Sequence, residues 1–371
     1  MLQRKINLQK NLQKNRVLII YGPRRSGKTT LLNNFLKKTK LKFRLDNGDD
    51  IRLQELLQSQ DFNRIKEYAE GYELVAIDEA QQIPNIGLAL KIMVDQIKDI
   101  QIIVTGSSSF DLSQQVGEPL TGRKKTLILY PFSQSEMLLE YNRHELKEKL
   151  NNFLVFGSYP DVVLAKTKQE KINILNELVN SYLLKDILKL DNIKLSKKLL
   201  DLLKSLSFQV GNLVSLNELS QQVGLDVKTI DRYLDLLEKG FVIKRLGGFS
   251  RNLRNEINSK SKYYFLDNGI RNALISQFND LEQRNDIGAL FENFLIMERI
   301  KNSDAINNFY FWKNYEGKEI DLIEERENVI YAYEFKWSKS KLGAPKDFMR
   351  AYKNSKFEII NKDNYLDFII N

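Results

Sequence analysis

The chain has no cysteine and a single histidine among its 371 residues. Disulfide staples are thereby excluded, and so is a zinc site of the usual Cys/His kind. No apolar run approaches the length that spans a bilayer, so membrane insertion is not expected. The opening stretch, MLQRKINLQKNLQKNR, is basic and rich in Gln and Asn, and it lacks the apolar core of a secretory signal. Together these absences predict a cytoplasmic setting. What is present is ordinary for a globular chain: 42% hydrophobic and 28% charged residues. The length suggests roughly two or three domains. A net charge of +9 and a pI near 9.2 suit a polyanion partner, but a bias toward Lys and Asn raises pI without one.

RVLIIYGPRRSGKTTLLNNFL reads as a short apolar strand, a Gly-rich loop, and a helix with Leu31, Leu32 and Phe35 at helical spacing. Gly22 and Gly27 let the loop through Pro23, Arg24, Arg25 and Ser26 bend, so that successive N–H groups point at phosphates beside a helix N-terminus. Lys28 would reach the β- and γ-phosphates, and the Thr29 hydroxyl, followed by Thr30, would ligate Mg²⁺. Arg24 and Arg25 either steer phosphates or face water. Fifty residues after Lys28, YELVAIDEAQ ends a buried-strand pattern in Asp78 and Glu79. Asp78 is the expected Mg²⁺ holder, and Glu79 the residue that orients and partly deprotonates the attacking water. The next strand, IQIIVTGSSS, would set Thr105 or Ser107 beside the γ-phosphate. A strand and helix between loop and acidic pair, with a polar-tipped strand after them, resembles the AAA-type ATPase core. A doubly wound α/β fold follows from that resemblance. In EPLTGRKKTLILYPFS, Arg123 is either an arginine acting in trans on a neighbour's γ-phosphate or a solvated basic turn.

From Phe132 to about Asp191 the pattern is helical, broken by FGSYPD at 156–161, and reads as a lid and connector. His144 lies among Asn and charged residues and reads as a surface residue. From Leu195 the spacing predicts a helix, then two short helices across a GLD turn, with Ile230, Tyr233, Leu234 and Leu237 on one face of the second. FVIKRLGG and KYYFLDN follow as a β-ribbon, completing a winged helix-turn-helix pattern. The second helix offers Lys228, Thr229, Arg232 and Lys239 against Asp231, Asp235 and Glu238. The ribbon, with Arg245, Arg251, Arg254, Lys260 and Lys262 against Glu256, would track a nucleic-acid backbone. Docking of a protein or of a neighbouring domain is the competing reading.

DIGALFENFLIMERI reads as a helix, and FYFWKNYEG, KEIDLIEE and NVIYAYEFKW as three strands behind it. Alternation sends Val329, Tyr331, Tyr333, Phe335 and Trp337 to one face and Ile330, Ala332, Glu334 and Lys336 to the other. Asp321 shares a face with Glu319 and Ile323, so strand pairing brings it near Glu334. An acid thirteen residues before a Glu-x-Lys resembles PD-(D/E)xK nucleases, which implies Glu292, Asp321 and Glu334 as Mg²⁺ ligands and Lys336 as the activator of the attacking water. The competing reading is a plain cross-strand ion pair on a half-exposed sheet.

The chain as a whole resembles bacterial and archaeal AAA-type ATP-binding proteins that join an ATPase core, a winged helix and a C-terminal restriction-endonuclease-like domain. The motifs are GPRRSGKTT, IDEAQ, VTGSS, LTGR, ALFENF, EID and YEFKW, with Glu319-Ile320 in place of the Pro that often precedes the acid. The resemblance implies an ATPase core over 1–130, a helical connector over 131–194, a winged helix over 195–268 and an α+β nuclease-like domain over 269–371. It implies ATP and Mg²⁺ as cofactors, and a nucleic-acid partner, DNA before RNA, with a protein partner at the winged helix and a homo-oligomer as further expectations. Hydrolysis coupled to nucleic-acid binding and cleavage is one expected function. A non-degrading ATP-dependent switch is the other.

Overall fold

The computed structural model describes residues 2–107, 119–183, 196–250, 260–303, 308–314, 316–340 and 343–370. The chain divides into two compact units, one formed by 4–131 with 239–241, the other by 1–3, 132–238 and 242–371.

The first unit is built on five parallel strands, β1 Arg16–Tyr21, β2 Phe43–Asn47, β3 Leu74–Asp78, β4 Gln101–Gly106 and β5 Lys124–Ile128, in the order β2-β3-β4-β1-β5. The central strands are continuous apolar runs because a parallel sheet is covered on both faces. In β1, Val17, Ile19 and Tyr21 enter one core with the helices Ile51–Gln58, Phe62–Ala69 and Ile86–Gln96. Leu18 and Ile20 enter the opposite core with Leu32 and Leu36 of the helix Lys28–Leu36. This is a doubly wound α/β layer, and its strands deliver their polar ends to one edge, where ligands of such sheets bind.

The second unit opens with short helices at Gln134–Met137, Arg143–Glu148, Leu150–Phe156, Pro160–Leu164 and Lys168–Glu177. The helices Ser196–Phe208, Leu216–Val223 and Val227–Lys239 follow. A seven-stranded mixed sheet is made from β6 Leu213–Val214, β7 Ile243–Gly248, β8 Ser261–Phe265, β9 Asn308–Lys313, β10 Glu319–Arg326, β11 Val329–Phe335 and β12 Ser355–Ile360, in the order β12-β11-β10-β9-β7-β8-β6. The ribbon β7–β8 and the meander β9–β11 are joined edge to edge, with Gly247 beside Tyr310 and Gly248 beside Phe311 in parallel register. Pairing satisfies the N–H and C=O groups that either edge would otherwise expose. The sheet therefore crosses the boundary expected at residue 268.

Both faces of the meander are covered, unlike the half-exposed sheet that a plain surface ion pair would need. Tyr333 and Phe335 meet Phe368 of the C-terminal helix Tyr365–Ile370, while Ile330 and Ala332 pack with Trp312 and Phe348. Strict alternation fails in β10, where the register against β9 shifts between Ile320 and Ile323, and both isoleucines enter the Phe348 cluster. The bulge sits at Asp321 and Leu322. Bulges of this kind re-aim a side chain beside functional sites.

The helix Ile287–Asn302 is buried along most of its length and fastens the unit through polar side chains. The Asn293 amide mimics a strand, accepting from Phe265 N at 2.7 Å and donating to Phe265 O at 2.9 Å. Asp267 caps the helix Asn268–Leu274 and accepts from Ser158 N at 2.7 Å. Gly157 holds φ 74°, ψ −157°, a region essentially reserved for glycine, and a Cβ there would overlap Asp267 Oδ1. Gly317 also has positive φ (84°), but nothing lies within 4 Å of a Cβ built on it. In urea unfolding of the second unit, Gly317→Ala is expected to cost about 1 kcal/mol and Gly157→Ala about 3 kcal/mol or more. Equal losses would show that Asp267 is not held as described.

Candidate functional site

In the first unit the loop after β1 turns at Gly22, where a Cβ would overlap the Leu129 carbonyl oxygen, and ends at Gly27, left-handed at φ 93°. The Ser26 carbonyl is anchored by the Arg4 guanidinium, and Ser26 N donates to Pro23 O at 3.3 Å. Lys28, almost fully buried, donates to the carbonyls of Gly22 and Pro23 at 3.0 and 2.9 Å, so its ammonium is held inside the curve of the loop. Ser26 Oγ is buried with no hydrogen-bond partner among the described residues. A buried hydroxyl left unsatisfied within a loop that admits no side chain at Gly22 fits a phosphate-bearing ligand.

The acidic end of β3 completes this edge. Asp78 Oδ2 accepts from Thr29 Oγ1 at 2.7 Å, and its Oδ1 accepts from Thr105 Oγ1. Glu79 is left-handed at φ 52°, a conformation uncommon outside glycine and concentrated at functional sites. Its N–H donates to Thr105 Oγ1 at 3.2 Å, and its carboxylate accepts from Gln81 Nε2, which also reaches Ser107 Oγ at 3.2 Å. Thr29, Asp78, Glu79, Thr105 and Ser107 thus form one connected network beside Lys28. Thr29 with Asp78 is a hard oxygen donor set that suits Mg²⁺. Gln81 was not singled out by sequence; its place two residues after Glu79 was the available signal.

Arg24 and Arg25 are partly buried in the loop, with Arg25 left-handed at φ 58°. Thr30 is exposed on the first turn of the helix. Arg123 is not brought to the phosphate loop. It precedes β5, its carbonyl accepts from Val17 N at 2.9 Å, and its Nε pairs with Asp95 at 2.9 Å. Val17 and Tyr21 are four residues apart, so Arg123 lies about 13 Å down the sheet from the loop at the usual strand rise. His144 is exposed beside Glu148.

In the second unit the ladder sets Leu322 beside Tyr333, and its next step brings Asp321 to Glu334. Asp321 Oδ2 accepts from Phe335 N at 2.8 Å. Glu334 pairs with Lys336 at 2.7 Å, two residues on in the chain and just past the end of β11, not across strands. The expected ribbon lysine, Lys262, does not face solvent to track a backbone. Its side chain is 1% exposed, and its Nζ is 3.2 Å from Glu292, 3.9 Å from Asp321 and paired with Glu319. Arg245 of the ribbon lies 3.6 Å from Asp231, and Lys244 lies 2.6 Å from Glu238, so two cations here neutralise acids of the preceding helix. Lys260 is exposed; Arg251, Arg254 and Glu256 lie outside the described residues.

Electrostatics in this cluster follow from burial. Desolvation pushes the Glu292 carboxyl up to about 7, aided by the negative charge of Asp321 and opposed by Lys262 and the Tyr264 hydroxyl, which donates at 2.6 Å. Asp321 and Glu334 are raised for the same first reason, burial. Burial alone would lower Lys262, but Glu292, Asp321 and Glu319 outweigh it and hold the ammonium above its ordinary range. For Glu319, desolvation is outweighed by Lys262 and Lys313, and its carboxyl is held low. The arrangement does not fit a divalent metal on Glu292, Asp321 and Glu334. A lysine ammonium is already among these acids, and among the described residues no group of three His, Cys, Asp or Glu side chains could hold a metal ion. Sequence reading missed the roles of Lys262, Tyr264 and Glu319; a lysine inside the otherwise apolar run KYYF was the only signal.

Because Glu292 binds its proton more tightly folded than unfolded, the folded state holds the extra proton between about pH 4.5 and 7. Its contribution to stability is therefore present below that window and lost as pH rises through it. Relative to Glu292→Gln, the wild-type chain is expected to lose about 3 kcal/mol across the window in denaturant titrations. Parallel pH profiles would contradict the assignment.

Three family models match consecutive parts of the chain. Residues 14–138 match an AAA domain, residues 147–281 a domain of unknown function (DUF8612), and residues 287–366 a domain of unknown function (DUF4143). Relatives include an uncharacterized protein of Mycobacterium tuberculosis, 25% identical over 89% of this chain and 72% of its own. Another uncharacterized protein, from Methanocaldococcus jannaschii, is 25% identical over 94% of this chain and 81% of its own. A third, from Haemophilus influenzae, is 26% identical over 85% and 80%. Among solved structures, a STAND (signal transduction ATPase with numerous domains) protein with a tetratricopeptide repeat sensor from Pyrococcus horikoshii is 14% identical with a TM-score of 0.29. That alignment covers 81% of this chain and 45% of the other, less than half its length. No helix of the described residues is long and apolar enough to cross a membrane. The match over residues 14–138, on a unit whose phosphate loop, acidic pair and polar strand end meet at one edge of a parallel sheet, supports an ATP-binding AAA-type ATPase.

Proposed function

We propose that the chain is a Mg²⁺-dependent ATPase whose nucleotide cycle drives the second unit as a nucleic-acid-binding body. The observation that carries the reading is the network Thr29–Asp78–Thr105, with Lys28 inside the loop. Lys28 and the loop N–H groups bind and orient the phosphates. Mg²⁺, held by Thr29 and Asp78, would supply neutralisation of the charge on the β- and γ-phosphate oxygens. Glu79 accepts a proton from the attacking water while Gln81 fixes its carboxylate, and Thr105 with Ser107 links the γ-phosphate side to β4. Arg123 would act only on a neighbouring copy, which is a role for a homo-oligomer.

For the second unit, the helices Leu216–Val223 and Val227–Lys239 with β7 and β8 are read as a winged helix, and β9–β11 as a nuclease-like sheet. DNA is the favoured polyanion given the net charge of +9. Of the two expected outcomes, cleavage and non-degrading binding, the buried Lys262 among the acids favours binding.

Purified protein should hydrolyse ATP with Mg²⁺. Lys28→Ala is expected to abolish turnover, while Glu79→Gln keeps nucleotide binding and lowers turnover about a hundredfold or more. Unchanged rates in both variants would remove the ATPase assignment. Labelled single- and double-stranded DNA should be retained with a steep salt dependence but not nicked in Mg²⁺ or Mn²⁺. Nicking that stops in Asp321→Ala would instead establish the cleaving reading.

A further inference from the structure

The acid cluster of the second unit is built around a cation that the chain itself supplies. Lys262 is fixed on β8, which is hydrogen-bonded to β7 on one side and β6 on the other, and its ammonium lies 5.7 Å from the centre of the Phe311 ring. Its carboxylate partners come from separate elements, Glu292 from the helix Ile287–Asn302 and Glu319 and Asp321 from β10. Around the same centre Glu334 is held by Lys336 at 2.7 Å, and the second oxygen of Glu319 by Lys313 at 2.8 Å. Four carboxylates are thus answered by three ammonium groups, and Tyr264 donates a further hydrogen bond to Glu292.

A divalent metal on Glu292, Asp321 and Glu334 would add two positive charges beside a buried ammonium. Two like charges a few ångströms apart repel strongly where water cannot screen them. Lys262 is 1% exposed on a strand paired on both sides, so its ammonium is held among the acids while β8 keeps its two ladders. We propose that Lys262 is the resident cation of this cluster, standing in place of a divalent metal, so that the nuclease-like half holds its acids together without metal and binds without cutting. The inference rests on the nuclease-like reading of β10 and β11 and is independent of ATP hydrolysis. It also gives the ribbon a role that sequence did not suggest: it donates the cation that closes the site on the neighbouring meander.

The test uses Mn²⁺ alone, without nucleotide, on the full chain, with bound ion counted by electron paramagnetic resonance. Wild type is expected to show no Mn²⁺ site that Asp321→Asn removes. Lys262→Met is expected to gain such a site, about tenfold or more tighter than any in wild type. Adding Asp321→Asn to Lys262→Met should abolish it. A wild-type site lost in Asp321→Asn overturns the proposal, and so does a folded Lys262→Met variant that gains none. Should Lys262→Met fail to fold, acetylation of native wild-type lysines read by peptide mass spectrometry decides the matter. Lys262 is expected to stay unreactive with or without Mn²⁺, and Mn²⁺-induced labelling of Lys262 overturns the proposal. Mn²⁺ is counted without nucleotide, so the outcome does not depend on ATP turnover and the two readings fail separately.

Discussion

An ammonium removed from water must be answered by carboxylates, and burial of Lys262 is the constraint on which the second unit is organised. Its partners belong to a helix and a strand that follow it in sequence by thirty to sixty residues. The ion cluster therefore cannot form until the ribbon, the helix Ile287–Asn302 and the meander have met. The same meeting aligns β7 with β9 and makes one sheet of what would otherwise be two open edges. A bulge at Asp321 is the local cost of presenting that acid to the cluster while Ile320 and Ile323 stay in the core.

The first unit solves the opposite problem, keeping polar groups available at the end of a sheet whose central strands are apolar. Parallel strands bury both faces, so chemistry is confined to their carboxyl ends. There Asp78 is fixed by hydroxyls from two neighbouring elements, Thr29 on the phosphate-loop helix and Thr105 on β4. A carboxylate so held is pre-positioned, and orienting it adds little to the cost of binding. Glu79 is aimed by a left-handed backbone instead, and Gln81 keeps it there. One acid is held by bonding to its side chain, the other by the turn it occupies.

The first unit was legible in sequence because its signals are local. The Gly22-to-Thr29 spacing encodes a loop shape, and an apolar run ending in Asp78 encodes a buried strand with a polar tip. Thr105 and Ser107 follow by the same logic. Arg123 shows the limit: a basic residue before a strand says nothing about which end of the sheet it occupies, and the Val17 register places it far from the loop. In the second unit, alternation correctly brought Asp321 to Glu334 but could not foresee the bulge, because a bulge depends on the register of β9. Nor could it reveal Lys262, whose burial is set by partners on other elements and whose neighbours on β8 read equally well as one exposed face of a ribbon.

The proposed divalent cation is held at Thr29 and Asp78, and the proposed internal cation of the acid cluster is Lys262. Anomalous diffraction from crystals of the full chain grown with Mn²⁺ and a non-hydrolysable ATP analogue tests both halves at once. The predicted result is a manganese peak beside Thr29 and Asp78, with Lys262 Nζ still between Glu292 and Glu319. A manganese peak among Glu292, Asp321 and Glu334, with Lys262 displaced, would contradict it.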